Sequence, residues 1–461
     1  MRLLACGAAS LAGCVLLAVA SNGPSPLVQA AKSGDAAAVR ALLQQGASAT
    51  ASDPDGATAL HWIAYHDDLA TAKVLLKAGA NVNAANDLGA TPLWVASENG
   101  STSMVRLLLD AGANPNLALL AGETPLMVAS RGGYPQVVEL LLAKGADPNA
   151  RGARGQTALM WAAAQKHPEV TKVLLAHGAD FNIRSSVYNE VMAVPPHGYL
   201  PYNRAIPHGS DTALLFAARD GDLESARLLV AAGANVNDAD AWGVSALTYA
   251  AHSGFDDLVE FLLDKGADPN AAAAGFAALH CAILRRDEKM AAALLNHGAD
   301  ANLTLKTWTP TRRSSRDWNF PPELVGASPF WLAARFNAPG IMRLLAQHGA
   351  DPKFIHHASR TIEGRNGQGW QERRDNLTAI MAAVGIGGGG NPWVPIPRAE
   401  REAMQLETVK YAVDLGIDVN YQNLDGRRAL DAARGSVAQF LKEKGAIPGN
   451  PNAQEPRRVE N

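Results

Sequence analysis

A phrase that returns every 33 residues constrains this chain more than any other feature. Glycines that follow a Leu-rich segment stand at positions 46, 79, 112, 145 and 178, each 33 residues after the one before. Later copies stand at 233, 266, 298 and 349, where two of the gaps exceed one period by 22 and 18 residues. A fixed period of this size indicates an array of stacked units rather than one compact core.

A second phrase keeps step with the glycines and predicts a short helix in every unit. It is written TPLWVAS at Thr91, TPLMVAS at Thr124 and TALMWAA at Thr157. Thr can cap the first amides of a helix, and Pro at the next position suits its first residue. A second helix carries the Leu-Leu pair and ends at the glycine, which suits a left-handed residue after a helix.

These phrases resemble the ankyrin repeat, and the resemblance covers about residues 25–447. It implies an all-α repeat fold, an ankyrin solenoid of about ten to eleven helix-turn-helix units with projecting hairpins. His61 and His280 match the histidine of the family phrase and are expected to form hydrogen bonds between units. Residues 448–461 are rich in Pro, Asn and charge and are predicted to be a disordered tail.

Four segments interrupt the period. Residues 183–208, 304–325 and 354–376 fall where a hairpin loop is expected, and residues 385–402 fall between the two helices of a degenerate unit. Loops this long are usually functional or disordered. Three interpretations stay open at this point: contact with a partner, packing onto neighbouring units, and disorder.

The N-terminus is predicted to be a signal peptide. Arg2 precedes an apolar run, and Ala18-Val19-Ala20 fits a cleavage site, which gives a signal peptide of residues 1–20. The expected product is an exported protein, periplasmic or extracellular, without a transmembrane segment in the mature chain. An alternative is a lipoprotein, because Leu11–Cys14 resembles a bacterial lipobox that would attach a lipid anchor at Cys14.

The resemblance also implies a binding surface. In ankyrin arrays the exposed side chains of the first helices line a concave groove, and aromatic and Arg side chains are typical of binding hot spots. Trp242 is expected at a hairpin tip, and the alternative for Trp62 and Trp161 is that they fill gaps between units. The predicted partner-binding residues are Trp62, Tyr65, Glu98, Arg131, Trp161, Phe216, Arg219, Trp242, Tyr249, His252 and Arg335.

Charge and motifs argue against several other functions. The net charge is −3 and charged residues make up 18% of the chain, which gives no general attraction to nucleic acid. The run Gly385–Gly390 matches a dinucleotide-binding pattern only formally, since it follows a helical phrase and not a strand. No cofactor and no metal site is predicted, and the sequence shows no recognised catalytic motif.

The sequence therefore predicts an exported scaffold that mediates protein-protein interaction through its groove, hairpin tips and enlarged loops, and that is not an enzyme. The partner would be a protein or peptide of unknown identity. The alternative is that the His, Tyr and Arg residues of the loops assemble an active site, or that the chain is an accessory subunit of an exported enzyme.

Overall fold

The structure is a computed structural model that describes residues 25–192, 204–309, 320–363, 369–387 and 397–450. The chain forms two compact units, residues 1–120 and residues 121–461. The predicted signal peptide, with Cys14, lies outside the described residues, as do residues 451–461 of the predicted tail. Within the described ranges, no helix is both long and apolar enough to cross a bilayer.

The first unit contains three pairs of short helices. The first helices of the pairs pack on one another in the order α1, α3, α5, and the second helices pack as a parallel layer in the order α2, α4, α6. The helices are α1 Pro26–Lys32, α2 Ala36–Gln44, α3 Ala59–Tyr65, α4 Leu69–Lys77, α5 Pro92–Glu98 and α6 Thr102–Asp110.

The second unit repeats the same two-layer arrangement over eight further pairs. Its first helices are α7 Pro125–Gly132, α9 Ala158–Ala164, α11 Ala213–Asp220, α13 Ala246–Ser253, α15 Ala278–Arg285, α17 Pro329–Arg335, α19 Ala379–Ala383 and α21 Ala429–Ala432. Its second helices are α8 Pro135–Ala143, α10 Pro168–Ala176, α12 Leu223–Ala231, α14 Asp256–Asp264, α16 Glu288–Asn296, α18 Pro339–Gln347, α20 Arg398–Asp414 and α22 Gly435–Glu443.

The recurring phrase forms the first helices for the local reasons that the sequence indicated. The side chain of Thr91 accepts a hydrogen bond from the Trp94 N–H at 3.2 Å, and Ser328 caps α17 in the same way. Pro92 fills the first helical position of α5. The helix-closing Gly178 has a φ of +81°, a conformation that L side chains adopt only with strain.

The two family histidines bond between pairs, as predicted. The Nδ1 atom of His280 accepts the backbone N–H of Ala277 at 3.0 Å, and its Nε2 atom donates to the Leu303 carbonyl at 2.8 Å. His61 bridges in the same way to the carbonyl of Ala90. In the equivalent position of α17, the indole N–H of Trp331 donates to the Leu377 carbonyl at 3.1 Å.

An asparagine in the loop after the second helix joins successive pairs. The Asn270 amide donates to the Gly298 carbonyl at 2.9 Å, and its Oδ1 accepts the Asp300 N–H at 2.7 Å. Asn237 and Asn302 make equivalent bonds to the pairs that follow them. These paired bonds fix the spacing between neighbouring helix pairs.

The Asn270→Ala substitution is expected to lower the free energy of unfolding by about 1 kcal/mol, because it removes both bonds at one junction. Asn182 holds the same place in an earlier loop, but within the described residues its side chain makes no hydrogen bond to the next pair, so Asn182→Ala is the matched control. Urea unfolding of both variants, followed by circular dichroism, measures the difference. Equal losses in the two variants would contradict this role of the amide.

A finger, as the term is used here, is the turn that precedes a first helix. Neighbouring fingers are joined tip to tip by a backbone hydrogen bond. In the first unit the Asp87 N–H donates to the Asp55 carbonyl at 2.8 Å, and the Leu120 N–H donates to the Leu88 carbonyl at 2.9 Å. These bonds form a ladder between the finger tips of the first unit.

The insertion at 183–208 is a β-hairpin built into a ladder of the same kind in the second unit. Strand β1, Tyr188–Met192, pairs antiparallel with β2, Arg204–His208, with Tyr188 opposite His208. Its stem is closed by Ser185, whose N–H donates to the Asp211 carbonyl at 2.9 Å and whose Oγ accepts the Asp211 N–H at 3.0 Å.

Both sides of the hairpin stem carry the finger ladder onward. On the incoming side the Ser186 N–H donates to the Arg154 carbonyl at 2.7 Å. On the outgoing side the Ala241 N–H donates to the Gly209 carbonyl at 2.8 Å. The insertion therefore replaces a finger tip without breaking the ladder.

The other two loop insertions pack onto their neighbours. In 354–376, strand β3, His356–Glu363, pairs with β4, Trp370–Leu377. The His356 Nε2 donates to the Glu323 carbonyl at 2.9 Å, and Asp375 accepts the Asn423 amide at 2.9 Å. In 304–325, where Pro322–Leu324 form a 3₁₀ turn and residues 310–319 are not described, Phe320 is buried.

The fourth insertion, 385–402, lies between α19 and α20 of one helix pair. Its last residues already belong to α20, which begins at Arg398. At the C-terminus, the described chain continues three residues into the predicted tail. There the Gly449 N–H donates to the Asp431 carboxylate and the Asn450 N–H donates to the Gly426 carbonyl.

Candidate functional site

The predicted binding residues of the first unit include one well-exposed aromatic ring. Tyr65, at the end of α3, is 58% exposed. Its ring meets the half-buried Trp62 edge-on, with 6.2 Å between ring centroids. The Lys32 ammonium lies 4.9 Å from the centroid of Trp62, within the range of a cation–π interaction. Glu98 is exposed at the equivalent end of α5.

One polar group of Trp62 lacks a hydrogen-bond partner among the described residues. This group is the indole N–H, which is buried. A buried donor without an acceptor is unfavourable. The half-buried Trp62 ring nevertheless leaves part of its face at the surface.

In the second unit, cations cover the aromatic rings of the first helices. The Arg131 guanidinium lies 5.7 Å from the centroid of the half-buried Trp161 and also pairs with Glu123. The Arg219 guanidinium lies 4.5 Å from the Phe216 ring and 5.9 Å from the Tyr249 ring. A planar guanidinium on a ring presents a flat, amphipathic surface to solvent.

Tyr249 is held in place by a carboxylate. Its hydroxyl donates to Asp240 Oδ2 at 2.6 Å. Burial and the neighbouring Asp240 carboxylate raise the pKa of Tyr249 well above its ordinary value, so the phenol stays a proton donor. Asp211, beneath Arg219, is buried, and burial raises its pKa although the Arg219 charge opposes this. These side chains are arranged to fix one another's positions.

Two predicted contact residues are buried. Phe216 is 6% exposed because the Arg219 side chain covers its ring. Arg335 is 8% exposed because its guanidinium turns inward and donates to the Ala382 carbonyl at 3.3 Å. The fold thus leaves these two side chains almost no surface for a partner, contrary to the expectation from sequence.

The remaining predicted residues lie at the surface but are partly covered. Trp242 is at a finger tip, as expected, and is half-buried, with its ring edge-on to Phe276 at 5.6 Å. The backbone N–H of Trp242 donates to Asp240 Oδ1 at 2.9 Å, and this bond fixes the tip. His252 is half-buried at the end of α13, and its carbonyl accepts a bond from Arg285.

Sequence reasoning missed a set of exposed apolar side chains on the fingers. Val187 is 60% exposed and Val191 is 71% exposed, both beside or within β1. In the first unit, Leu88 and Leu120 are exposed at neighbouring finger tips. Leu88 was detectable, since an apolar residue in the tip of a polar "NDLG" turn is unusual. The valines were not, because their exposure depends on how the hairpin folds.

Within the described ranges, no group of three or more His, Cys, Asp or Glu side chains is placed to hold a metal ion. The loop histidines are separated by their structural contacts. His356 is buried against the Trp331 ring at 4.4 Å, whereas His208 stacks on Tyr188 at 5.4 Å in the other hairpin.

The chain is an all-α repeat protein of the solenoid class. This class is defined here by helix pairs that stack in two layers and by fingers that project from them. The chain belongs to the ankyrin-repeat family. The model for ankyrin repeats in three copies matches residues 3–86, 27–119, 68–152, 93–185 and 200–273, and the single ankyrin-repeat model matches residues 274–306.

The chain is also similar to part of a longer protein. The chain is 32% identical over 256 residues to the E3 ubiquitin-protein ligase KEG of Arabidopsis thaliana. The match covers 51% of this chain and 15% of the relative. Ankyrin repeats generally mediate protein-protein interactions, and this chain shares that general property.

Proposed function

We propose that the chain is a binding scaffold that recognises a protein or peptide through its fingers and through the surface side chains of its first helices, called here the first-helix row. The observation that carries the proposal is the pair of partly exposed rings on first helices of the second unit, Trp161 and Tyr249, each held by a neighbouring side chain. Tyr65 is the corresponding exposed ring within the first unit. A surface that is already ordered loses little conformational entropy on binding. Burial of large rings is what dominates most binding hot spots.

The proposal is that recognition, not chemistry, is the task of this chain. Among the described residues, the loop His, Tyr and Arg side chains that would have to converge in an active site are divided between separate contacts. One set stabilises β1–β2, and another packs β3–β4 onto the neighbouring pairs. We further propose export through the segment 1–20, with a periplasmic or extracellular partner.

The test begins with a partner isolated by chemical crosslinking of the mature chain in the exported fraction. Trp161→Ala is expected to raise the dissociation constant about 10- to 100-fold, because a buried aromatic anchor contributes about 1.4–3 kcal/mol of binding free energy. Isothermal titration with purified partner measures the effect, and circular dichroism at 222 nm checks that the variant is folded.

Tyr411→Ala is the matched control. The Tyr411 ring also lies under a guanidinium, that of Arg343 at 5.5 Å, but on a second helix rather than a first. It should bind as the unmodified chain does. Equal weakening by both variants, or by neither, would contradict recognition through the first-helix row.

A further inference from the structure

Strand β1 is exposed on an apolar face. Val187 and Val191 point to the same side of the ribbon, since alternate residues of a strand share a face. Ala205, which pairs with Val191, is exposed beside them. On the opposite face, the Ile206 side chain of β2 is only 4% exposed and is buried against the protein.

Among the described residues, the outer edge of strand β1 has no backbone partner. The ribbon has two strands, and the described backbone of residues 187–191 makes no hydrogen bond outside it. Asn189 lies opposite Pro207, which has no N–H to give to a ladder. Proline in a sheet takes a position whose nitrogen faces away from the partner strand, so the N–H and C=O of Asn189 face the outer edge of β1.

The entrance to this edge is positively charged. Arg154 lies over the Tyr188 ring at 4.8 Å, and its Nη1 donates to the Tyr188 hydroxyl at 3.3 Å. Arg151 donates to the Arg184 carbonyl at 2.6 Å. Both guanidiniums are exposed, and neither lies within salt-bridge distance of a carboxylate in the described part of the chain.

The acidic residue of β1 does not neutralise this charge. Glu190 is exposed, and its Oε2 lies 3.8 Å from His208 Nε2 rather than beside either arginine. An exposed, untwisted apolar edge is a template for another strand, and natural proteins usually block one with lysine, proline or a covering loop. Here β1 carries Val191, and the exposed Arg151 and Arg154 of the preceding finger flank its start.

From this juxtaposition of an open backbone edge, an apolar face and two arginines, we propose that β1 docks an extended acidic segment of a partner protein by strand addition. The proposal rests on the scaffold function proposed above. The partner's backbone continues the ladder through Asn189, its apolar residues extend the face of Val187 and Val191, and its carboxylates pair with Arg151 and Arg154.

The probe is a fluorescein-labelled peptide of alternating Glu and Val residues, with terminal acetyl and amide groups, measured by anisotropy against the mature full chain. The acidic peptide should bind and the Lys–Val peptide of the same pattern should not. Affinity should fall as salt rises, since the ion pairs are exposed. A peptide with N-methylated backbone at alternate residues should bind at least tenfold more weakly.

Two variants of the chain test the two parts of the edge. The double variant Arg151→Gln/Arg154→Gln should weaken binding of the acidic peptide about tenfold. It should leave in place the stem closed by Ser185 and Asp211. Asn189→Pro should remove the outward donor without removing a bond inside the ribbon, again with a loss of about tenfold. Arg227→Gln, an exposed arginine on α12, is the control and should bind normally.

The other outcomes are decisive too. Equal binding of acidic and basic peptides, or no effect of Asn189→Pro, overturns strand addition at β1. Concentration-dependent dimerisation of the unmodified chain that Asn189→Pro abolishes would make a second copy the occupant and overturn the acidic partner. Loss of peptide binding in Trp161→Ala but not in the arginine variants would keep the scaffold function and reject β1 as its site.

Discussion

Lowering the pH from 7 to 4 is expected to cost about 3 kcal/mol of unfolding free energy through His280 alone. Burial lowers the pKa of His280 to about 4, against an ordinary value near 6.5. The folded chain therefore binds fewer protons than the unfolded chain, so this contribution is complete above pH 6.5 and is lost as the pH falls towards 4. Protonation would also place a new N–H of the ring against the Ala277 N–H.

His280→Gln removes this titration while keeping an amide that can donate. Urea unfolding of the second unit at pH 7 and at pH 4, followed by circular dichroism, should show a smaller acid loss in His280→Gln than in the unmodified chain. His348→Gln changes an exposed imidazole at the end of α18 and should leave the acid loss unchanged. An acid loss of the same size in all three proteins would refute the assignment to His280.

Gly209→Ala is expected to destabilise the second unit by about 2–4 kcal/mol and to loosen the β1–β2 hairpin. Gly209 has a φ of +89°, which costs an L residue about 1–2 kcal/mol. In addition, an added Cβ would lie 2.1 Å from the Ser186 carbonyl oxygen, so the backbone of the stem must move. Limited proteolysis within residues 186–209 and urea unfolding measure the two effects.

Gly178→Ala separates the clash from the conformational cost. Gly178 has a similar φ of +81°, and nothing lies within 4 Å of an added Cβ. It should lose only about 1–2 kcal/mol, with no new cleavage in the hairpin. If Gly209→Ala behaved in the same way, the close approach of Gly209 and Ser186 would not be what holds the stem together.

The helix pairs were predictable because their signals are local. The cap at Thr91, the proline after it and the glycine at 178 each act within one turn of chain, and every period repeats them. The inter-pair bonds of His61 and His280 were also predicted, since the repeat places the next loop at a fixed distance. The family and the all-α fold follow from these signals alone.

The site was less predictable because burial there depends on contacts between elements. Phe216 is hidden by Arg219, three residues later on the same helix, and Arg335 is drawn inward by the carbonyl of Ala382 in the next first helix. A helical wheel places both on the exposed face. The strands at 188–192 and 204–208 depend on a stem closed by Ser185 and Asp211, which are distant in sequence.

The closed stem lets this position carry a segment that departs from the repeat period. Since the incoming and outgoing chains leave the body hydrogen-bonded to each other and to both flanking fingers, a segment of another length or composition could be grafted between them without shifting either neighbour. The inserted segment is thus free to vary, while the helices that support it are not.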